Sequence, residues 1–142
     1  MACLIDILRE HPAIDNHAHP LLTAWNRDRL AFEGVTSEAG GAALEDVVYT
    51  LAHSTARRDL AQLYGLPPHA SWDDIKENRA ERSYDELCRL CFENAKIQCI
   101  LIDDGLGGVE EMAEEFQWHD RYTTSPTRRI VRVEVVAEVQ YI

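Results

Sequence analysis

The chain has 142 residues, 46% of them apolar, and a formal net charge of -11. Length and composition fit one globular domain with a core, and the acidic balance argues against a nucleic-acid partner or an anionic membrane surface, since both draw on clustered Lys and Arg. No apolar run is long enough to span a bilayer, and Met1-Ala2-Cys3-Leu4-Ile5-Asp6 lacks the basic start and small-residue cleavage site of a signal peptide, so a cytoplasmic location is expected.

In chain order, a helical turn over Asp6 to Glu10 leads to a strand over Ala13 to His19, which Pro20 ends. Residues Leu21 to Gly41 show no clean period and are expected to form a long loop, of the kind that is usually functional or mobile. Leu44, Val47, Val48, Leu51, Leu60, Leu63 and Tyr64 recur at helical spacing and predict one helix, stopped by Gly65 and Pro67-Pro68. Ser71-Trp72-Asp73-Asp74 caps a short helix, and Ser83-Tyr84-Asp85-Glu86 opens another that runs to about Ala95.

The apolar run Ile97 to Ile102 predicts a strand buried on both faces of a parallel sheet. Glu110 to Trp118 then reads as a helix, Thr124-Ser125-Pro126 as a turn and Arg129 to Val133 as a third strand. From Glu134 to Ile142 the spacing of Val135, Val136 and Val139 fits a helix while their β-branching favours extension. Strand, helices, strand, helix, strand is the rhythm of right-handed βαβ units and implies parallel pairing in an α/β fold.

The four cysteines, Cys3, Cys88, Cys91 and Cys99, are scattered through a chain without secretory features, so reduced thiols are expected. Cys88-x-x-Cys91 lies inside a helical pattern that puts both sulfurs on the apolar side with Ala95, which predicts core packing rather than a redox or zinc pair.

The chemistry-bearing stretch is Ile14-Asp15-Asn16-His17-Ala18-His19. Alternate strand residues share a face, so His17 and His19 can reach one cation, and imidazole suits borderline metals such as zinc. Asp15 falls on the same side as a further carboxylate or an orienting partner. Asp103 and Asp104 follow the second predicted strand, where they either contact substrate or form a turn with Gly105. His53 lies on a helix of the segment after strand one, either over the site or as an ordinary helix residue.

Several stretches, taken in order, resemble one family. Ile14-Asp15-Asn16-His17-Ala18-His19, the helix Leu51 to Leu60 ending in Leu63-Tyr64-Gly65, the strand Ile100 to Leu106, Trp118-His119-Asp120, and Thr124 to Ile130 together resemble the amidohydrolase superfamily. The likeness is strongest to the amidohydrolase-related N-terminal domain of FluG-type proteins of fungi, where it is fused to a glutamine-synthetase-like domain, and it extends from Ile14 to about Glu138. The resemblance implies a (β/α)8 TIM barrel whose first strand carries a His-x-His pair binding a divalent metal, usually zinc. That metal activates water to attack a C-N or similar bond of a small-molecule substrate, or serves decarboxylation in some members.

Only His17 and His19 match that motif, because the family's later ligands and base belong to strands that have no counterpart here. A complete barrel takes about 250 residues. The chain therefore reads as an N-terminal portion or truncated product, about three strands with a helical insertion at about 42–96. Two histidines alone bind metal weakly, so catalysis by this portion alone is not expected. The competing readings are a non-catalytic product or interaction module, self-associating through open sheet edges, and a ligase role implied only by the fusion, for which no nucleotide site is seen.

Overall fold

The computed structural model of the chain describes residues 3–105 and 111–139. They form a mixed α/β structure in two compact units, one made of Met1–Thr23 with Phe92–Ile142 and the other of Ala24–Cys91.

The first unit holds the sheet. Helix α1 (Leu4–Glu10) is followed by β1 (Ala13–Ala18), β2 (Ile97–Ile102) and β3 (Arg128–Arg129), parallel throughout and in the spatial order β1-β2-β3. Ala13 pairs with Ile97, Asp15 with Ile100 and Ala18 with Ile102, with an irregularity between Asp15 and Ala18. The Asp103 N–H then donates to the Ala18 carbonyl at 2.8 Å, so the pairing continues one residue past β2. The sheet is open, with β1 and β3 as its outer strands among the described residues.

Ile100, Ile102 and Phe92 form the buried core of this unit, against Ala18, Leu21, Ile97, Phe116 and Tyr122. Burial of β2 is one-sided. Ile100 and Ile102 are buried while Ile97, Cys99 and Leu101 are half-buried, which corrects the expectation of a strand covered on both faces. Period-two alternation places Ile100 and Ile102 together on the face that meets Phe92.

Two further expectations are corrected by where backbone hydrogen bonds go. Of the helix predicted over Glu110 to Trp118, Glu110 lies outside the described residues. Residues 112–114 instead pair with 21–23, through Thr23 N–H to the Met112 carbonyl and Glu114 N–H to the Leu21 carbonyl, both 2.8 Å. Only then does a 3-10 helix, Phe116–Arg121, form. The predicted third strand shrinks to two residues because β2 has ended. Ile130 N–H donates to the carbonyl of Ile102, the last residue of β2, and the chain beyond has no described strand to pair with. It folds instead into α6 (Val133–Val139), which settles the ambiguity of this valine-rich stretch in favour of helix over the described residues.

The second unit is helical: α2 (Phe32–Val35), a 3-10 helix (Gly41–Tyr49), α3 (Leu51–Tyr64), α4 (Trp72–Glu81) and α5 (Tyr84–Asn94), whose last residues pass into the other unit. The helix expected to run from Leu44 to Tyr64 is two elements, broken at Thr50. Thr50 is extended, its Oγ1 donating to the Val47 carbonyl at 2.7 Å and accepting from His53 N–H at 3.1 Å, so it closes one helix and caps the next. Gly65, at φ 72°, ends α3 in the left-handed conformation that glycine takes without strain.

Both predicted capping boxes form. Asp74 accepts from Ser71 N–H at 2.7 Å, and Glu86 from Ser83 N–H at 2.8 Å. Trp72, Ile75, Ala61, Tyr64, Ala70 and Leu87 make the core, with the Phe32 ring stacked on Trp72 at 4.9 Å. Within the stretch expected to be loop, Phe32 and Glu33 form the start of α2, tied down because the Trp72 Nε1–H donates to Glu33 at 2.8 Å. None of the four cysteines forms a disulfide; Cys88 is buried but Cys91 is exposed, so the pair does not share the apolar side as expected.

Candidate metal centre

The C-terminal ends of β1 and β2 lie side by side, and each delivers polar side chains just where its ladder stops. His17 is the penultimate residue of β1 and His19 the first beyond it, while Asp103 is the first beyond β2. In parallel α/β sheets this end is where ligands are bound. One donor atom from each of His17, His19 and Asp103 falls within 4.8 Å of the others, and the two imidazole rings meet edge to face with centroids 5.4 Å apart. The histidines are exposed and Asp103 is buried.

The ring of His19 is oriented from behind. Its Nδ1 lies 2.9 Å from the backbone carbonyl of Asp103, and a carbonyl only accepts, so Nδ1 donates and Nε2 is the nitrogen that a neutral ring offers as a ligand. An imidazole that donates one N–H to a carbonyl and offers the other nitrogen outward has the arrangement of a metal-ligating histidine. His17 Nε2 stands 3.5 Å from Asp103 Oδ2. Two imidazoles and a carboxylate form a donor set suited to zinc and other borderline divalent cations.

A competing cation is already in place. Arg132, directly before α6, donates from Nε to both Asp103 oxygens at 2.9 and 3.1 Å and from Nη2 to Oδ2 at 2.6 Å. This guanidinium, with help from the Gly105 N–H at 3.0 Å, holds the Asp103 carboxyl well below the usual carboxylate range, against the opposing effect of burial. Nothing in the sequence points to Arg132, which the sequence pattern places within the third strand. Its importance follows from the early end of β3, which bends the chain back over Asp103.

The chain is 39% identical over 143 aligned positions to protein fluG of Emericella nidulans, an alignment covering 96% of this chain and 16% of that protein. This chain is homologous to part of fluG. No family model matches it and no solved structure matches it.

The other candidate residues are placed as follows. Asp15 is not in the cluster; its Oδ1 accepts the His17 backbone N–H at 3.2 Å, which shapes the strand end that presents His17. Asp104 is half-buried and accepts from Arg129 Nε at 2.7 Å. His53 belongs to the helical unit, where it is buried with its ring 4.4 Å from that of Trp72 and its Nδ1 without a hydrogen-bond partner. One residue that the sequence did not single out as a site residue supports the site: His119, 1% exposed, accepts the Leu21 N–H two residues beyond His19.

No helix among the described residues is long and apolar enough to cross a membrane.

Proposed function

We propose that this chain carries the first metal half-site of an amidohydrolase-type (β/α)8 barrel, with His17, His19 and Asp103 as ligands of a divalent cation, zinc by donor chemistry. The observation that carries the reading is the convergence of these three donors, within 4.8 Å, at the C-terminal ends of adjacent parallel strands. The order of strands and the position of the donors match what the start of such a barrel requires. A bound divalent cation would supply an acidified water and polarise a scissile carbonyl for hydrolysis.

The chain's own residues have the following parts. Asp103 orients His19 through its carbonyl and offers its carboxylate to the cation, so one residue fixes a tautomer and completes the donor set. His17 is held in line by the Asp15 carboxylate on its backbone. Three protein ligands are the usual complement of a catalytic zinc site, and they leave a coordination position for water. A general base is not among the described donors at this site and belongs, in this reading, to later strands of a complete barrel.

Zinc content of the purified chain, with His17→Ala, His19→Ala and Asp103→Asn alongside, tests the reading. Binding at about one zinc per chain should fall to background in both histidine variants and weaken in the third. Equal zinc in all four proteins would overturn it.

A second reading, an interaction module, draws on the apolar side chains left in solvent around the open sheet. Ile14 is 62% exposed and Val133 76% exposed. It predicts self-association, which does not depend on metal.

A further inference from the structure

Beside the three donors lies a cavity of about 220 Å³ lined by Asp103, Asp104, Arg129, Arg132, Val135 and Val136 among others. Its charges are matched in pairs, Arg132 on Asp103 and Arg129 on Asp104. The two carboxylates and two guanidiniums cancel. The remaining wall is aliphatic.

Asp103 cannot serve fully as both a metal ligand and the seat of Arg132. Its two oxygens already receive three guanidinium contacts and the Gly105 N–H, and a divalent cation between His17, His19 and Asp103 would bring a second positive centre to the same carboxylate. Like charges in a partly desolvated site repel strongly. The pair is closely fitted as it stands: a Cβ at Gly105 would lie 3.0 Å from both Cδ and Nε of Arg132 and 3.2 Å from Asp103 Oδ1. Glycine makes room for the arginine there.

We infer that Arg132 is a resident cation that a divalent metal displaces from Asp103 into the adjoining cavity, where its guanidinium then receives the carboxylate of a small aliphatic ligand. This rests on the metal reading above and adds to it the chemistry of what binds next. Once a divalent cation sits on Asp103, the cavity groups together with the cation carry an excess of two positive charges, and an anion restores the balance. The guanidinium fork matches a carboxylate, and the valine-lined wall takes an alkyl group. Arg132 is a positioning and specificity residue in this scheme. Metal and anion binding are coupled, and the coupling is reciprocal.

Calorimetric titration of the 142-residue chain with zinc, with and without isovalerate or its uncharged amide isovaleramide, tests this directly. Isovalerate should tighten zinc binding by about fivefold or more, the lower end of typical coupling between sites, and isovaleramide should not. Arg132→Gln should tighten zinc in the absence of anion, because Asp103 is released, and should abolish the isovalerate effect. A merely structural arginine would instead weaken zinc when removed. Gly105→Ala, whose Cβ would press on Arg132 and loosen its seat on Asp103 while keeping every charge, should also tighten zinc, and it supplies the answer if Arg132→Gln fails to fold. Histidine-dependent zinc binding that is indifferent to isovalerate, with no tightening in either variant, would overturn this inference and leave the metal reading standing. Absence of histidine-dependent zinc in the parent and in both variants would overturn both.

Discussion

His119 Nε2 accepts the backbone N–H of Leu21 at 3.1 Å, across 98 residues of chain, while its Nδ1 donates to the Phe116 carbonyl at 3.0 Å. One nitrogen must accept and the other must donate, so the ring is neutral and a single tautomer is fixed. It is almost fully buried, and burial pushes its pKa below the ordinary histidine value in spite of opposing help from the Phe116 carbonyl. The imidazole thus pins the chain just past His19 to the 3-10 helix at Phe116–Arg121.

A pH dependence follows from that ring. The folded-state pKa is depressed relative to the unfolded value of about 6.5. Above the unfolded value both states are neutral and the full stability is present. As pH falls below it the unfolded chain takes up the proton first, and stability declines until pH has passed the folded value. Urea midpoints at about pH 7.5 and about pH 5.5 should therefore differ, and the difference should shrink in His119→Gln, which does not titrate. An unchanged difference in that variant would show that other groups account for it.

The core of the helical unit makes a prediction independent of the site. Trp72 stacks on Phe32, touches His53 and donates Nε1–H to Glu33. Trp72→Ala should cost about 3–5 kcal/mol by leaving a cavity. Trp72→Phe keeps most of the packing and orphans one hydrogen bond of a carboxylate, so its cost should be nearer about 1.5–3 kcal/mol. Denaturant melts followed by helical circular dichroism rank the two. An alanine variant as stable as the parent would show that this cluster is not what holds the unit.

Much of this was readable from residue order because the signals were local. Ser71 with Asp74 and Ser83 with Glu86 are three residues apart, and Gly65 ends a helix by its own backbone freedom, so each can be recognised without knowing the fold. The His-x-His pair likewise lies within one strand. What could not be read depended on partners far away in sequence. Residues 112–114 leave the helical pattern to pair with 21–23, β3 is short because β2 has ended, and Arg132 meets Asp103 across 29 residues. Periodicity carries no information about where a neighbouring strand stops. Cys91 illustrates the same limit at smaller scale, since one turn separates it from buried Cys88 yet it is exposed.

The capping boxes can be measured singly. Ser71→Ala removes the acceptor for Asp74 N–H and the hydroxyl that binds the Asp74 carboxylate, and Ser83→Ala does the same opposite Glu86. Each should cost about 1 kcal/mol. The sites open different helices and share no partner, so the double variant should lose the sum within about 0.5 kcal/mol. Chemical denaturation gives all three values. A strongly non-additive double variant would mean that α4 and α5 report on one another rather than on their own caps.

The open sheet sets the last expectation. Among the described residues β1 is an outer strand with no strand paired on its other side, and Ile14 within it is 62% exposed. Around the opposite edge Val131, Val133, Val135 and Val136 are all 47% exposed or more. Natural edges are protected by charge, by proline or by a covering element, and apolar unprotected edges associate. The net charge of -11 opposes association at low ionic strength and is screened as salt is added. Sedimentation velocity of the chain should therefore show self-association that grows with protein concentration and with salt, and Ile14→Lys should reduce it by placing a charge on the β1 edge. A sharp monomer peak at every concentration and salt level would show that these edges are protected within the chain itself.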